Sequence, residues 1–159
     1  MPLYREGAIV PVANDGLAAL PLAEWLQAPT QAVALANTDQ LDLLKTHLGR
    51  LKLIVLHFPK HTDGRAYSQA RLLRGRLGYR GELRAIGQVL RDQLPFLLRC
   101  GFDSFESDQP GFGPALARAR TLFSVVYQGA EDDRAPAWLL RLRRRDARAA
   151  EQIGPLAAE

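Results

Sequence analysis

The chain has 159 residues, 47% hydrophobic and 24% charged, which fits one folded α/β domain of about 100–200 residues and excludes a disordered segment. A single cysteine, Cys100, excludes an internal disulfide and any multi-cysteine zinc or iron–sulfur site built from this chain alone. No apolar run approaches the roughly 18 residues that cross a bilayer, and no basic segment followed by an apolar core opens the chain, so a cytoplasmic protein with no membrane association is expected.

Residues 1–30 read as an irregular lead-in punctuated by Gly7, Pro11, Gly16, Pro21 and Pro29, with a short strand over Ala8 to Val12 and a helical turn over Leu22 to Gln27. Ala32 to Ala36 is a short apolar strand. Asn37-Thr38-Asp39 then supplies capping side chains for a helix over 39–48, with Leu41, Leu44 and Leu48 inward, Leu43 widening the stripe and Gly49 as its stop. Leu51 to Phe58 is almost continuously apolar, the pattern of a central strand covered on both faces. Ala66, Ala70, Leu73 and Leu77 set the buried stripe of the next helix, which Gly78 closes. Leu83 to Ile86 predicts a strand, Val89 to Cys100 a helix kinked at Pro95, and Phe102 to Phe105 another strand. A helix follows from Pro114 to Leu122 or beyond, and Phe123 to Tyr127 either continues it or, being β-branched and aromatic, forms a sixth strand instead. A basic helical tail occupies about 135–159, with frayed final residues from Gly154.

Strands separated by helices predict a mainly parallel sheet of about five βα units, either open and doubly wound or curled as an incomplete TIM-barrel-like arrangement. Both architectures put ligands at the carboxyl ends of the strands. The segment after the central strand is dense in functional groups: Lys60, His61, Asp63, Arg65, Tyr67, Ser68, Arg71 and Arg74. Lys60 and Arg65 suit a small anion, Arg65 with a planar fork for two oxygens, while Asp63 suits a helix cap or an arginine partner. His61 in the loop is the acid–base candidate alongside Asp63, whereas His57 suits a satisfied strand-end residue. The plainer reading makes Asp63-Gly64 a capping turn, and Tyr67, Arg71 and Arg74 a rim that snorkels over the sheet edge.

A second cluster joins Glu82, Arg84, Gly87, Arg91, Asp92 and Gln93, where a helix opening favours anions and Gly87 permits close approach. In the third, Arg99-Cys100-Gly101-Phe102-Asp103, Gly101 reads as a helix terminator, Phe102 as core and Cys100 as a small buried hydrophobe. His57, His61 and Asp63 make only a weak metal signature, and no glycine-rich phosphate fingerprint is present, so no metal or nucleotide cofactor is assigned and the cofactor stays unknown. The net charge of +4 is concentrated in Arg141, Arg143, Arg144, Arg145 and Arg148 without a nucleic-acid-binding pattern, so a nucleic-acid partner is disfavoured. That stretch reads instead as an amphipathic helix for a partner or an anionic surface.

Phe58, Asp63-Gly64-Arg65-Ala66-Tyr67-Ser68-Gln69-Ala70-Arg71, Gly81-Glu82-Leu83-Arg84-Ala85-Ile86-Gly87, Arg91-Asp92-Gln93 and Arg99-Cys100-Gly101-Phe102-Asp103 occur in this order. Together they resemble the bacterial family of unknown function DUF934 over about Val33 to Gln128. The resemblance implies an oxidoreductase association with sulfite reduction, in the company of the sulfite reductase haemoprotein. It transfers motif positions but no catalytic residues, and it does not extend to the basic tail. Three readings follow. The first is an accessory protein of assimilatory sulfite reduction, with a basic rim around Arg65, Arg84 and Arg91 that binds an oxyanion or docks the reductase. The second is a small cofactor-independent enzyme using Asp63 or His61 as acid–base. The third is a structural or homo-oligomeric protein.

Overall fold

The computed structural model describes residues 1–13, 16–132 and 134–153, with side chains through residue 148. The expected fraying from Gly154 onward lies outside the described residues. Six strands, β1 (Leu3–Arg5), β2 (Leu20–Pro21), β3 (Ala32–Leu35), β4 (Leu53–Phe58), β5 (Glu82–Gly87) and β6 (Ser104–Glu106), form one sheet in the order β1-β6-β5-β4-β3-β2. β2 through β6 pair in parallel, and β1 pairs antiparallel with β6. The expected α/β class with a mainly parallel sheet holds, and the sheet is open. From β2 to β6 the spatial order follows the chain order, so the reversal point that defines a doubly wound sheet is absent.

Successive crossovers of one hand in one direction put the helices that follow the strands on the same face. The core shows this directly. Leu22 and Trp25 of α1 (Leu22–Gln27), Ala66 and Ala70 of α2 (Arg65–Arg71), Leu94, Leu97 and Leu98 of α3 (Leu94–Arg99) and Phe112 and Leu116 of α4 (Phe112–Ala119) join one cluster. Val33, Leu35, Ile54, Leu56, Phe58, Leu83, Ala85 and Phe105 meet them from the sheet. The pleat sends the alternate residues to the other face, where Ala32, Leu53 and Val55 are covered only by small pieces such as Leu17 and Ala19. The central strand is therefore apolar on both faces through Leu56, and His57 on the thinly covered face is exposed.

Several elements differ from expectation. The regular repeat of βα units fails after β3, where two 3-10 turns, Leu41–Leu44 and Leu48–Arg50, replace the helix expected over 39–48. Leu41 and Leu44 are three apart, a spacing that a 3-10 turn superposes, and both are buried, whereas Leu43 is exposed. The helix expected from Ala66 to Leu77 starts as α2 and ends in a π turn, Leu72–Arg76, closed by Leu77 N donating to Leu72 O at 2.9 Å. Pro95 opens α3 rather than kinking it, because a 3-10 turn over Arg91–Gln93 precedes the helix and proline fits a first turn. Ala8 to Val12 is not a strand. Gly7 turns the chain at φ 82° and Pro11 has no amide to donate, so only Val12 bridges back to Leu3. The strand on that edge is β1. Phe123 to Tyr127 makes no strand either, and Val126 bridges only to Pro136. The tail forms α5 (Ala137–Ile153). No helix of the described residues is long and apolar enough to cross a membrane.

Candidate functional site at the strand carboxyl ends

The loops that leave β3, β4, β5 and β6 meet at one end of the sheet and are knitted together by side chains. Arg65 opens α2, and its guanidinium closes on Asp63, with Nη2 donating to Oδ2 at 2.6 Å and Nε to Oδ1 at 3.0 Å. Asn37 Nδ2, from the loop after β3, donates to Asp63 Oδ2 at 2.7 Å. The Arg65 fork and its backbone amide hold the Asp63 carboxyl down at about 2, well below the usual carboxylate range, and the arginine is held protonated in return. At neutral pH this carboxylate is a poor general base, since effective catalysis needs a pKa nearer the working pH. The Arg65 fork is occupied by its neighbour.

His61 is tied through its backbone: its amide approaches Gln88 Oε1 at 3.4 Å and its carbonyl accepts from Gln93 Nε2 at 2.9 Å. Gln93 Oε1 also accepts the Leu90 amide at 3.4 Å, so this predicted ligand joins the β4 loop to the β5 loop. Gly87 does permit a close approach, but by protein. At φ 91° it lies against the Phe58 carbonyl oxygen, where a Cβ would collide. Tyr67 packs edge-on against Phe58 with ring centroids 5.3 Å apart. Burial, with the Cys100 and Asp92 charges adding to it, pushes its phenol up to about 12. Burial likewise pushes the Cys100 thiol up.

Arg84, Arg74 and the pair Ser68 and Arg71 lie apart from one another. Arg84 is not on this rim. It sits in the middle of β5 on the thinly covered face, 2% exposed, where its Nη2 donates to Glu82 Oε1 at 2.8 Å and Glu106 lies at 3.7 Å. The same Glu82 accepts from Ser104 Oγ at 2.5 Å and from Arg5 Nη2 at 2.9 Å. A side chain in mid-strand points across the sheet rather than off its end, so Arg84 does not join Arg65 and Arg91. Arg74, expected on an exposed rim, is buried and donates to the carbonyls of Tyr79, Gly81 and Gly101 as well as to Asp103. Ser68 faces away with Arg71 and Arg76 in a groove beside Glu131. Lys60 is exposed in the β4 loop.

Arg91 and Asp92 do reach an open cleft, about 440 Å³ in volume, between the β5 and β6 loops. Leu90, Gln109, Gly111, Ala115 and Arg118 complete its lining. Gln109 Nε2 donates to Val89 O at 2.8 Å, joining the two loops. Arg91 Nη1 donates to Pro110 O at 2.7 Å, which fixes the guanidinium at the cleft wall and leaves its other nitrogens for a ligand. Arg118, the penultimate residue of α4, was not singled out from the sequence. Only the fold brings it beside Arg91. Among the described residues its guanidinium makes no hydrogen bond or ion pair. Gly111, at φ 74°, starts α4 at the same cleft, so the positive end of that helix adds to the two cations. Asp92 is the one carboxylate in the lining, and the balance is cationic.

A second cleft, of about 540 Å³, lies at the carboxyl ends of β2 to β5, with an apolar lining that includes Leu26, Ala34, Leu43 and Ile86, and with His57 and Asp39 as its polar groups.

No curated protein matches the chain. The model of a family described as a bacterial protein of unknown function (DUF934) matches residues 32–138, which takes in β3 through α4 and every segment of the strand-end rim. The chain belongs to that family.

Proposed function

We propose that the chain is an accessory protein of assimilatory sulfite reduction and that the cleft between the β5 and β6 loops seats its oxyanion. The observation that carries this reading is the convergence of Arg91 and Arg118, from different elements, on one solvent-open cleft with the start of α4. Two guanidinium groups suit a small dianion such as sulfite, because each offers parallel N–H donors to a pair of oxygens. The association with sulfite reduction comes from the family resemblance. In this reading the chain holds or delivers the anion beside the reductase. The acid–base alternative built on Asp63 and His61 is weaker, because Asp63 is committed to Arg65 and Asn37.

The experiment is thermal unfolding of the purified protein in sulfite, sulfate and phosphate, repeated with Arg118→Ala and with Arg65→Ala. A ligand that binds only the native state raises the midpoint. Sulfite is expected to raise it for the wild type and for Arg65→Ala, and not for Arg118→Ala. A midpoint unmoved by every anion would sink the oxyanion reading.

A further inference from the structure

Ala115, Arg118, Ala119 and Leu122 recur at intervals of three and four, so α4 and its exit present them on one face. That face carries the oxyanion cleft past its two arginines. Arg91, Ala115 and Arg118 line the cleft, and the same three residues line a second, smaller hollow of about 140 Å³. Pro95 of α3, Ala119 and Leu122 complete it. The two spaces are compartments of one groove, with the guanidinium groups at the threshold between them. Their linings differ in kind. Asp92 and Gln109 border the larger space, whereas the smaller one has no carboxylate, and its only polar side chains are the two arginines. The apolar character continues outward. Leu122 is 61% exposed, and Phe96 and Phe123, next in sequence to Pro95 and Leu122, pack on each other with ring centroids 6.1 Å apart while remaining 52% and 44% exposed.

A bare inorganic anion uses none of this apolar wall, whereas an alkyl chain gains by leaving water against it. The smaller hollow has room for about four or five groups of methylene or water size, at roughly 30 Å³ each. The head group is specified as well. Each guanidinium fork takes a pair of oxygens, and the three oxygens of a sulfonate serve two forks by sharing one, whereas a carboxylate supplies a single pair. We propose that the groove binds an organic sulfonate, with its head between Arg91 and Arg118 and a short alkyl chain, of about four carbons on the room available, against Pro95, Ala119 and Leu122. This inference rests on the reading of Arg91 and Arg118 as an oxyanion seat and names the ligand class the whole groove fits. Sulfite fills the head position alone, and the chain adds affinity.

Titration calorimetry on the full chain tests it with sulfite, methanesulfonate and butanesulfonate, repeated with Leu122→Ser and Arg118→Ala. Butanesulfonate is expected to bind about tenfold more tightly than methanesulfonate, roughly twofold for each of three added methylenes, against the roughly fourfold of full burial, because the groove is open to solvent. Leu122→Ser removes apolar wall without changing charge. It is expected to reduce the gain to about threefold or less and to leave sulfite affinity unchanged, since Leu122 does not line the larger space. Arg118→Ala is expected to lose all three ligands. Sulfite binding beside equal affinities for the two sulfonates would overturn the inference and leave the oxyanion reading standing. Sulfonates that bind through Arg118 with the expected gain, while sulfite does not bind, would support the inference and remove inorganic sulfite as the ligand. No heat from any of the three would overturn both. A chain-length gain that Leu122→Ser leaves intact would overturn the inference by placing the chain elsewhere.

Discussion

Arg74 Nη2 donates to Asp103 Oδ2 at 2.5 Å, joining the π turn after α2 to the residue that leads into β6. Arg74 is 9% exposed, and its other donors end on the carbonyls of Tyr79, Gly81 and Gly101. Asp103 in turn accepts the Leu83 amide at 2.8 Å. One guanidinium thus pins the entrances of β5 and β6. Gly101, at φ 93°, lies so close that a Cβ there would sit 2.6 Å from Arg74 Cγ. The Arg99-Cys100-Gly101-Phe102-Asp103 motif is accordingly a structural socket.

Removing Arg74 strands a partly buried carboxylate and three carbonyls. Arg74→Ala is expected to cost about 1–3 kcal/mol, the range for leaving buried hydrogen-bonding groups without a partner, with the half-exposed Asp103 carboxylate free to turn to water, and Arg74→Lys is expected to recover little of it, since an ammonium cannot reach four acceptors in a planar fork. Chemical denaturation reads the loss. A change below about 1 kcal/mol, the size of an ordinary surface substitution, would contradict the socket.

Gly87→Ala is expected to destabilise by at least about 2 kcal/mol, because a side chain in the left-handed region costs roughly 1–2 kcal/mol and the new Cβ meets the Phe58 carbonyl. Urea unfolding measures it. A neutral result would show that the β4–β5 carboxyl end can open without cost.

Asp63 titrates at about 2 in the fold against 3.8 without its partners. A lowered carboxylate pKa contributes stability that is complete above the unfolded value and lost as pH falls toward the folded one. The stability gap between wild type and Asp63→Asn is therefore expected to hold above about pH 4 and to shrink steadily toward pH 2. A gap unchanged at pH 2 would contradict the Asp63–Arg65 clamp.

Cys100 is the only thiol, and burial raises its pKa, so thiolate is scarce at neutral pH. Its reaction with a thiol reagent at pH 7 is expected to be slower than that of free cysteine and to accelerate on unfolding. Equal rates in the folded and unfolded chains would contradict this burial.

Strands β3 to β6 were legible because short apolar runs bounded by Gly, Pro and Asn have few other uses, and these four fall close to prediction. The edge strands β1 and β2 were missed: three and two residues carry no period, and only pairing defines them. The 39–48 segment shows how one apolar spacing serves two kinds of turn, since Leu41 and Leu44 fit a 3-10 turn as well as a helix. At the rim, the loops that carry the candidate residues meet at one end of the sheet and are less open than the sequence suggested. Arg65, Gln93 and Arg74 read as cations and donors awaiting a ligand, yet protein groups from distant positions occupy them. Arg118 went unnoticed for the opposite reason, as an ordinary exposed helix residue whose only distinction is its neighbour Arg91 in space.

The central claim is that Arg91 and Arg118 together seat a small oxyanion, and titration calorimetry with sulfite addresses it most directly. The wild type and Arg65→Ala are expected to bind one sulfite per chain, with affinity falling as salt rises, and Arg118→Ala is expected to lose binding. Binding that Arg118→Ala retains at full strength, or no heat from the wild type, would contradict the account.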